Sequence, residues 1–199
     1  MKKNILILDY GIGNYGSLIG SLNNLNCKAY VSNDKNLIKK SDLIILPGVG
    51  NFKAAMTNLK KNNLNNFLLD ISKRGKYLFG ICLGMQLLAS SSNEDGFETG
   101  LNIIPGKVRP YNFNKHNIGW SKLKILKKEN LLKDVENSDF YFQHKYSFDC
   151  HSRFKIANCR SNSNITSIIK NRNTFGVQFH PEKSQINGQR LMLNLINKI

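Results

Sequence analysis

The sequence predicts an α/β fold, with a mostly parallel central sheet flanked by helices and antiparallel β additions in the C-terminal half. Two observations predict it. In the first half, short apolar runs alternate with segments of helical period, the pattern of parallel strands joined by crossover helices. In the second half, short β-like runs follow one another with polar turns between them, the pattern of antiparallel pairing.

The elements follow in order. Lys3–Leu8 is an apolar strand. The two lysines before it resemble the start of a signal peptide, but Asp9 ends the apolar run after four residues, so it reads as a strand. Asn14–Leu25 carries Leu18, Leu22 and Leu25 at i, i+4, i+7, one buried face of a helix. Lys28–Val31 and Asp42–Leu46 are the next strands, the latter ended by Pro47-Gly48. Ala54–Leu59 and Leu64–Ile71 read as helices, and Gly75 stops the second. Tyr77–Ile81 is a fourth strand and Leu83–Ala89 a helix. Val108–Tyr111, Trp120–Ile125, Phe140–Phe142, Phe154–Ala157, Ile165–Lys170 and Phe175–Phe179 are the β runs of the second half, expected to extend the sheet and form a small β layer. Gly188–Ile196 closes the chain as a helix with Leu191, Met192 and Leu195 on one side. With no linker, repeat or low-complexity stretch, residues 1–199 read as a single domain.

Composition excludes several classes. A chain of 199 residues with 41% hydrophobic content can bury about 70% of its unfolded surface and needs no disulfide staple. Aromatics at 10% argue against disorder, and no apolar run approaches the ~18 residues of a membrane span. Four cysteines without a C-x-x-C pair, and without a secretory signal, read as free thiols in a reducing cytoplasm. Cys150-His151 and Cys159 lack the spacing of a metal site. The formal charge of +16 is carried by scattered lysines in runs of at most two. Such a surface suits nucleic acid, an acidic protein or a phosphorylated substrate, and equally a plain solvated surface. No aromatic-basic recognition motif supports nucleic acid.

Three segments carry chemistry. Gly80-Ile81-Cys82-Leu83-Gly84 fits G-x-C-x-G between a strand and a helix. Such a turn holds its central residue exposed at the strand end, and a helix N-terminus there favours thiolate. A buried structural cysteine is the bland alternative. A thiol nucleophile needs a base, and the base an orienter. His180 emerges at a strand end before Pro181, and Glu182, two residues on, can reach back to one imidazole nitrogen. Pro47-Gly48-Val49-Gly50-Asn51, after the third strand, can turn backbone N–H groups towards an oxyanion, with the amide of Leu83 as second donor. An ordinary glycine-rich turn explains it equally. Asp9-Tyr10-Gly11-Ile12-Gly13-Asn14 reads as a truncated dinucleotide fingerprint or a flexible turn.

Together, in this order, these motifs resemble the class I (triad-type, flavodoxin-like) glutamine amidotransferases, most nearly the glutaminase subunits of imidazole glycerol phosphate synthases. The resemblance covers essentially the whole chain. It implies that Cys82 attacks the side-chain amide of glutamine, with His180 moving the proton and Glu182 orienting His180. It further implies that Val49, Gly50 and Leu83 hold the oxyanion and that Gln86 helps hold the substrate. The ammonia would pass to a (β/α)₈-barrel cyclase in a heterodimer serving histidine biosynthesis, with no metal or organic cofactor. Asn14, Tyr15 and Lys183 resemble family positions near the partner face. Two segments depart from the family. Where it has Pro-His-x-Gly-Trp, this chain has His116-Asn117-Ile118-Gly119-Trp120, and where it has His-Ser-Tyr, this chain has His144-Lys145-Tyr146. His116 and His144 are pocket-lining candidates by position. The departures keep open a paralogous glutaminase that feeds amidation of a surface-polysaccharide sugar. From other classes, a non-catalytic scaffold, a basic nucleic-acid binder and a thiol peptidase remain as alternatives.

Overall fold

The computed structural model describes residues 2–111 and 117–199. The chain runs β1 (Lys3–Leu8), α1 (Tyr15–Asn23), β2 (Cys27–Ser32), α2 (Lys35–Lys40), β3 (Leu43–Leu46), α3 (Phe52–Lys61), α4 (Asn65–Lys73), β4 (Tyr77–Ile81) and α5 (Leu83–Leu87). There follow β5 (Ser91–Ser92), β6 (Glu98–Thr99), β7 (Gly106–Pro110), β8 (Asn117–Ile125), β9 (Asp139–His144), β10 (Tyr146–Cys150), β11 (Lys155–Cys159), β12 (Thr166–Asn171), β13 (Thr174–Val177) and α6 (Gln185–Lys198).

One 9-stranded sheet has the order β2-β1-β3-β4-β13-β12-β11-β8-β9, and a 4-stranded sheet has the order β10-β7-β5-β6. From β2 to β13 every neighbour is parallel. From β13 to β9 every neighbour is antiparallel. The antiparallel additions and the small β layer expected from the second half are therefore both present. The parallel part has the order of a flavodoxin-type sheet, in which ligands bind beyond the carboxyl ends of the strands, where the order reverses. Here the reversal falls between β1 and β3.

The inner parallel strands β1, β3, β4 and β13 are largely buried, as apolar strands covered on both faces require, while β2 at the edge is only partly covered. Ile5 and Ile7 of β1 point into one core with Leu18 and Leu22 of α1 and Leu191 and Leu195 of α6. Leu6 and Leu8 point into the other, with Phe52, Met56, Leu68 and Met85 of the helices on that side. Each fully buried side chain of this kind contributes about 1.5–3 kcal/mol, which fixes the register: a one-residue slip would exchange the two faces of a strand.

Some elements differ from expectation. Helix α2 was not foreseen. Its six residues bury only Ile38, so it shows no apolar period, and it starts because the Asp34 side chain accepts from the amides of Asn36 and Leu37. Strand β10 was also not foreseen. It pairs with β7 in the small sheet. The expected strand over 175–179 ends earlier, at Val177. Beyond it the chain crosses to β9, where the His180 amide donates to Tyr141 O at 2.9 Å. Among the described residues, no helix is long and apolar enough to cross a membrane.

Candidate active site

Cys82 follows β4 and precedes α5. Its backbone is at φ 51, ψ −108, a left-handed conformation that costs a non-glycine residue about 1–3 kcal/mol. The surroundings enforce it. The Cys82 amide donates to Val177 O of the neighbouring β13 at 2.8 Å. The next turn is pressed against β3: a Cβ on Gly84 would lie 1.9 Å from Leu46 O, and one on Gly80 would lie 2.5 Å from Gly84 O. Only glycine fits at either position, which is why the motif spaces its glycines two residues on each side of the cysteine. Leu83 is the first residue of α5, so its N–H has no intrahelical acceptor.

His180 is brought to Cys82 from β13. The strands β4 and β13 pair with Ile81 opposite Val177, so residues just past their ends meet. The loop is fixed by Ser184, whose Oγ donates to His180 O at 2.6 Å and accepts the Tyr141 amide at 3.0 Å. Pro181 then starts a 3₁₀ turn over Pro181–Lys183. That turn swings Glu182 back so that its Oε1 accepts from His180 Nδ1 at 2.8 Å. Both side chains are nearly inaccessible, at 2% and 3%. Burial disfavours the imidazolium, but hydrogen bonds and charge from Cys82 and Glu182 outweigh it and raise the pKa of His180 to about 10. With Nδ1 held by Glu182, Nε2 is the nitrogen left for the sulfur. Cys82, His180 and Glu182 thus come together as a thiol, an imidazole and an orienting carboxylate.

A cavity of about 330 Å³ opens over the sulfur. Val49, Gly50, Cys82, Leu83, Gln86 and His180 line it, so every expected oxyanion and substrate residue is on its wall. The loop carrying Val49 and Gly50 is anchored from below, where the Tyr10 hydroxyl donates to Pro47 O. Gln86 is buried, and its Nε2 donates to Tyr146 O at 3.0 Å and to Gln178 Oε1 at 3.2 Å. Because Tyr146 O can only accept, the orientation of the Gln86 amide is fixed. Gln178 in turn directs its own Nε2 to Cys82 Sγ at 3.7 Å. The sequence reading assigned no role to Gln178, which fell within the expected strand Phe175–Phe179.

Glu94, Ile118, Gln143, His144, Lys145 and Tyr146 complete the wall. Of these, Glu94 was missed, since it lies in a polar loop with no motif around it. It is half-buried, and its Oε2 accepts the Phe52 amide at 2.9 Å. His144, foreseen by position, has its Nδ1 on Tyr146 O at 2.8 Å and its Nε2 on Asn117 Nδ2 at 2.9 Å. A carbonyl can only accept, so Nδ1 carries the proton and Nε2 accepts from Asn117. Burial, with the nearby His180 charge, lowers its pKa to about 4, against the Tyr146 carbonyl, so it is neutral. His116 lies outside the described residues.

Asn14 caps α1, Tyr15 donates to Asp9 at 3.0 Å, and Lys183 donates to Gln143 at 3.2 Å. All three sit beyond the carboxyl ends of β1 and β13, on the side of the sheet end that carries Cys82, and none lines the cavity. The Gly11–Gly16 run in fact has the complete spacing G-x-G-x-x-G, which corrects the reading of a truncated fingerprint. A Cβ on Gly16 would meet nothing within 4 Å, so this glycine does not serve the close helix–strand packing that a dinucleotide site needs. A larger cavity of about 730 Å³ lies at the amino end of β13, around Lys73, Lys127 and Arg172, and contains no cysteine or histidine.

The family model for class I glutamine amidotransferases matches residues 6–197. The imidazole glycerol phosphate synthase subunit HisH of Listeria monocytogenes is 38% identical over 184 residues, 90% of this chain and 88% of the relative. The subunit named HisH 2 of Vibrio vulnificus is 42% identical over 192 residues, 92% of this chain and 89% of the relative. The fold is shared with the PurLQS structure from Thermotoga maritima, at a TM-score of 0.77, 16% identity, and coverage of 100% of this chain and 99% of that one. A match that begins inside β1 and runs almost to the end of α6 takes in the elbow, the His180 loop and the cavity wall together: the chain belongs to the class I glutamine amidotransferase family.

Proposed function

We propose that the chain is the glutaminase subunit of an imidazole glycerol phosphate synthase, and that Cys82, His180 and Glu182 carry its chemistry. The observation that carries this reading is the His180–Glu182 pair at 2.8 Å beside a cysteine held at φ 51. The names of the relatives support the choice of synthase.

Cys82 Sγ, its proton already held by His180 Nε2, attacks Cδ of glutamine. The N–H groups of Leu83 and of the Val49–Gly50 segment hold the oxyanion. Collapse of the tetrahedral adduct breaks the C–N bond, and His180 gives its proton to the departing ammonia. Water then attacks the thioester, His180 accepts its proton, and glutamate leaves as the Cys82 thiolate is regenerated. The two N–H groups of Gln86 are already used, so its Oε1 is the atom free to accept from the substrate. Glu94, with Oε1 free and Oε2 on the Phe52 amide, suits the α-ammonium. The ammonia passes to a (β/α)₈-barrel cyclase in a heterodimer, giving imidazole glycerol phosphate and an aminoimidazole carboxamide ribotide. Asn14, Tyr15 and Lys183, at the sheet end near Cys82, lie on the face that meets this partner. This chemistry belongs in the cytoplasm and calls for no cofactor.

Asn117 and Lys145, which replace family residues beside the cavity, favour a second reading: a paralogue feeding ammonia to a surface-polysaccharide sugar. Glutamate release by the chain co-purified with a barrel partner separates the two. Stimulation by the histidine-pathway ribonucleotide, abolished in Cys82→Ala, is the expected result. Release that ignores the ribonucleotide selects the sugar, and no release in any verified complex selects a scaffold and ends the glutaminase reading.

A further inference from the structure

The cavity over Cys82 holds one positive charge that the catalytic residues do not use. Lys145 is the single residue between β9 and β10, and it lines the cavity together with Glu94. Its base is held on both sides. His144 Nδ1 donates across it to Tyr146 O at 2.8 Å, and Gln86 of the elbow helix donates to the same oxygen at 3.0 Å. The residue is thereby tied to the helix that starts at Cys82. Among the described residues Lys145 has no ion-pair partner, although its charge reaches Glu94. Burial pushes the Glu94 carboxyl up, and the Phe52 amide and Lys145 pull it part of the way back.

Glutamine enters as a zwitterion, and its α-carboxylate loses water on entry. An unpaired carboxylate in a half-enclosed pocket is costly, and a fixed cation removes the cost. The wall offers three basic side chains. His144 is neutral, and His180 is committed to Glu182 and the sulfur. Lys145 is left. It stands where the family pattern has serine, so this chain places a full charge where a relative of that pattern has a neutral hydroxyl.

We infer that Lys145 binds the α-carboxylate of glutamine, opposite Glu94 on the α-ammonium, and so sets the chain's specificity for a free α-amino acid over an amidated or peptide-linked glutamine. The inference rests on the glutaminase reading. It is tested in the complex with the barrel partner, using glutamine and its α-amide, whose carboxylate is replaced by a neutral carboxamide. Lys145→Met should raise KM for glutamine about tenfold or more, the worth of a charged hydrogen bond, with kcat nearly unchanged. It should leave kcat/KM for the α-amide unaltered, and Lys145→Arg should restore KM for glutamine. An unchanged KM for glutamine, or equal losses on both substrates, would overturn the assignment. Calorimetric binding of glutamine to the Cys82→Ala complex, with and without Lys145→Met, separates the two claims. No hydrolysis by the wild type with Lys145-dependent binding sinks the glutaminase reading alone. Hydrolysis with Lys145-independent binding sinks the carboxylate assignment alone, and failure of both sinks both.

Discussion

Glu182→Gln isolates what the carboxylate does for His180 with little change of shape. The Oε1 of Glu182 accepts from Nδ1 at 2.8 Å, and Oε2 is buried without a hydrogen-bond partner among the described residues. In the variant the amide oxygen keeps the bond to Nδ1–H, and the NH₂ falls where Oε2 lay. A bond to a charged group is worth about 1.5–3 kcal/mol and a neutral one about 0.5–1.5, so about 1–1.5 kcal/mol of support for the imidazolium is lost. That corresponds to about one unit in the His180 pKa and roughly tenfold in kcat. The buried NH₂ has no acceptor and costs about 1–3 kcal/mol more in fold stability. Two measurements check this: NMR titration of the His180 imidazole, which in the wild type is raised to about 10, and glutamate release by the complex. The variant should titrate lower and turn over more slowly. If His180 titrates at the same pH in both proteins, the carboxylate does not support the imidazolium and the reasoning fails.

Other consequences follow from the same contacts. Gly84→Ala puts a methyl group 1.9 Å from Leu46 O, a backbone atom that cannot step aside. It should cost about 3 kcal/mol, the upper end of overpacking penalties, and a denaturant midpoint within error of wild type would refute the close approach. The two buried histidines give stability opposite slopes with pH. His180, raised from 6.5 to about 10, stabilises fully below pH 6.5, and this is lost as pH rises towards 10. His144, lowered from 6.5 to about 4, favours the fold when neutral, and that support is lost as pH falls from 6.5 towards 4. Together they place their combined maximum near pH 6.5, with about 1 kcal/mol lost on each side by pH 5 and pH 8. Urea midpoints at the three pH values test it, and His144→Gln should flatten only the acid side. The single tryptophan, Trp120, is 49% exposed with its edge on Tyr141. Docking of the partner on the face around Cys82 should shift its emission to shorter wavelength, and an unchanged spectrum in a verified complex would place the partner elsewhere.

The parallel half of the fold was legible because its strands are apolar on both faces and its turns carry Pro47-Gly48 and the elbow glycines. Cys82, His180 and Glu182 were legible because each pair of neighbours in the chemistry is either close in sequence or at the end of a strand. What stayed hidden depended on pairing between distant segments. Glu94 reaches the cavity because β5 pairs with β7 and the following loop folds under α3. Lys145, named from the sequence only as a departure from the family pattern, reaches it through the turn between two strands of different sheets. Helix α2 was hidden for a local reason, since one buried residue makes no period.

The sheet itself explains why the candidate site sits where it does. Strand β13 is the last parallel strand on β4, yet 92 residues separate Ile81, the end of β4, from Thr174, where β13 starts. After α5, the intervening chain is spent on the small sheet and the antiparallel strands. Those segments supply the roof: Gln143, His144, Lys145 and Tyr146 from β9 and β10, and Glu94 from the loop after β5. The chain then returns and lays β13 on β4, with Val177 opposite Ile81. That single register sets His180 next to Cys82, because both lie just past paired residues. The roof and the base are therefore assembled together, and a slip in this one ladder would separate His180 from Cys82 while leaving each motif intact in the sequence.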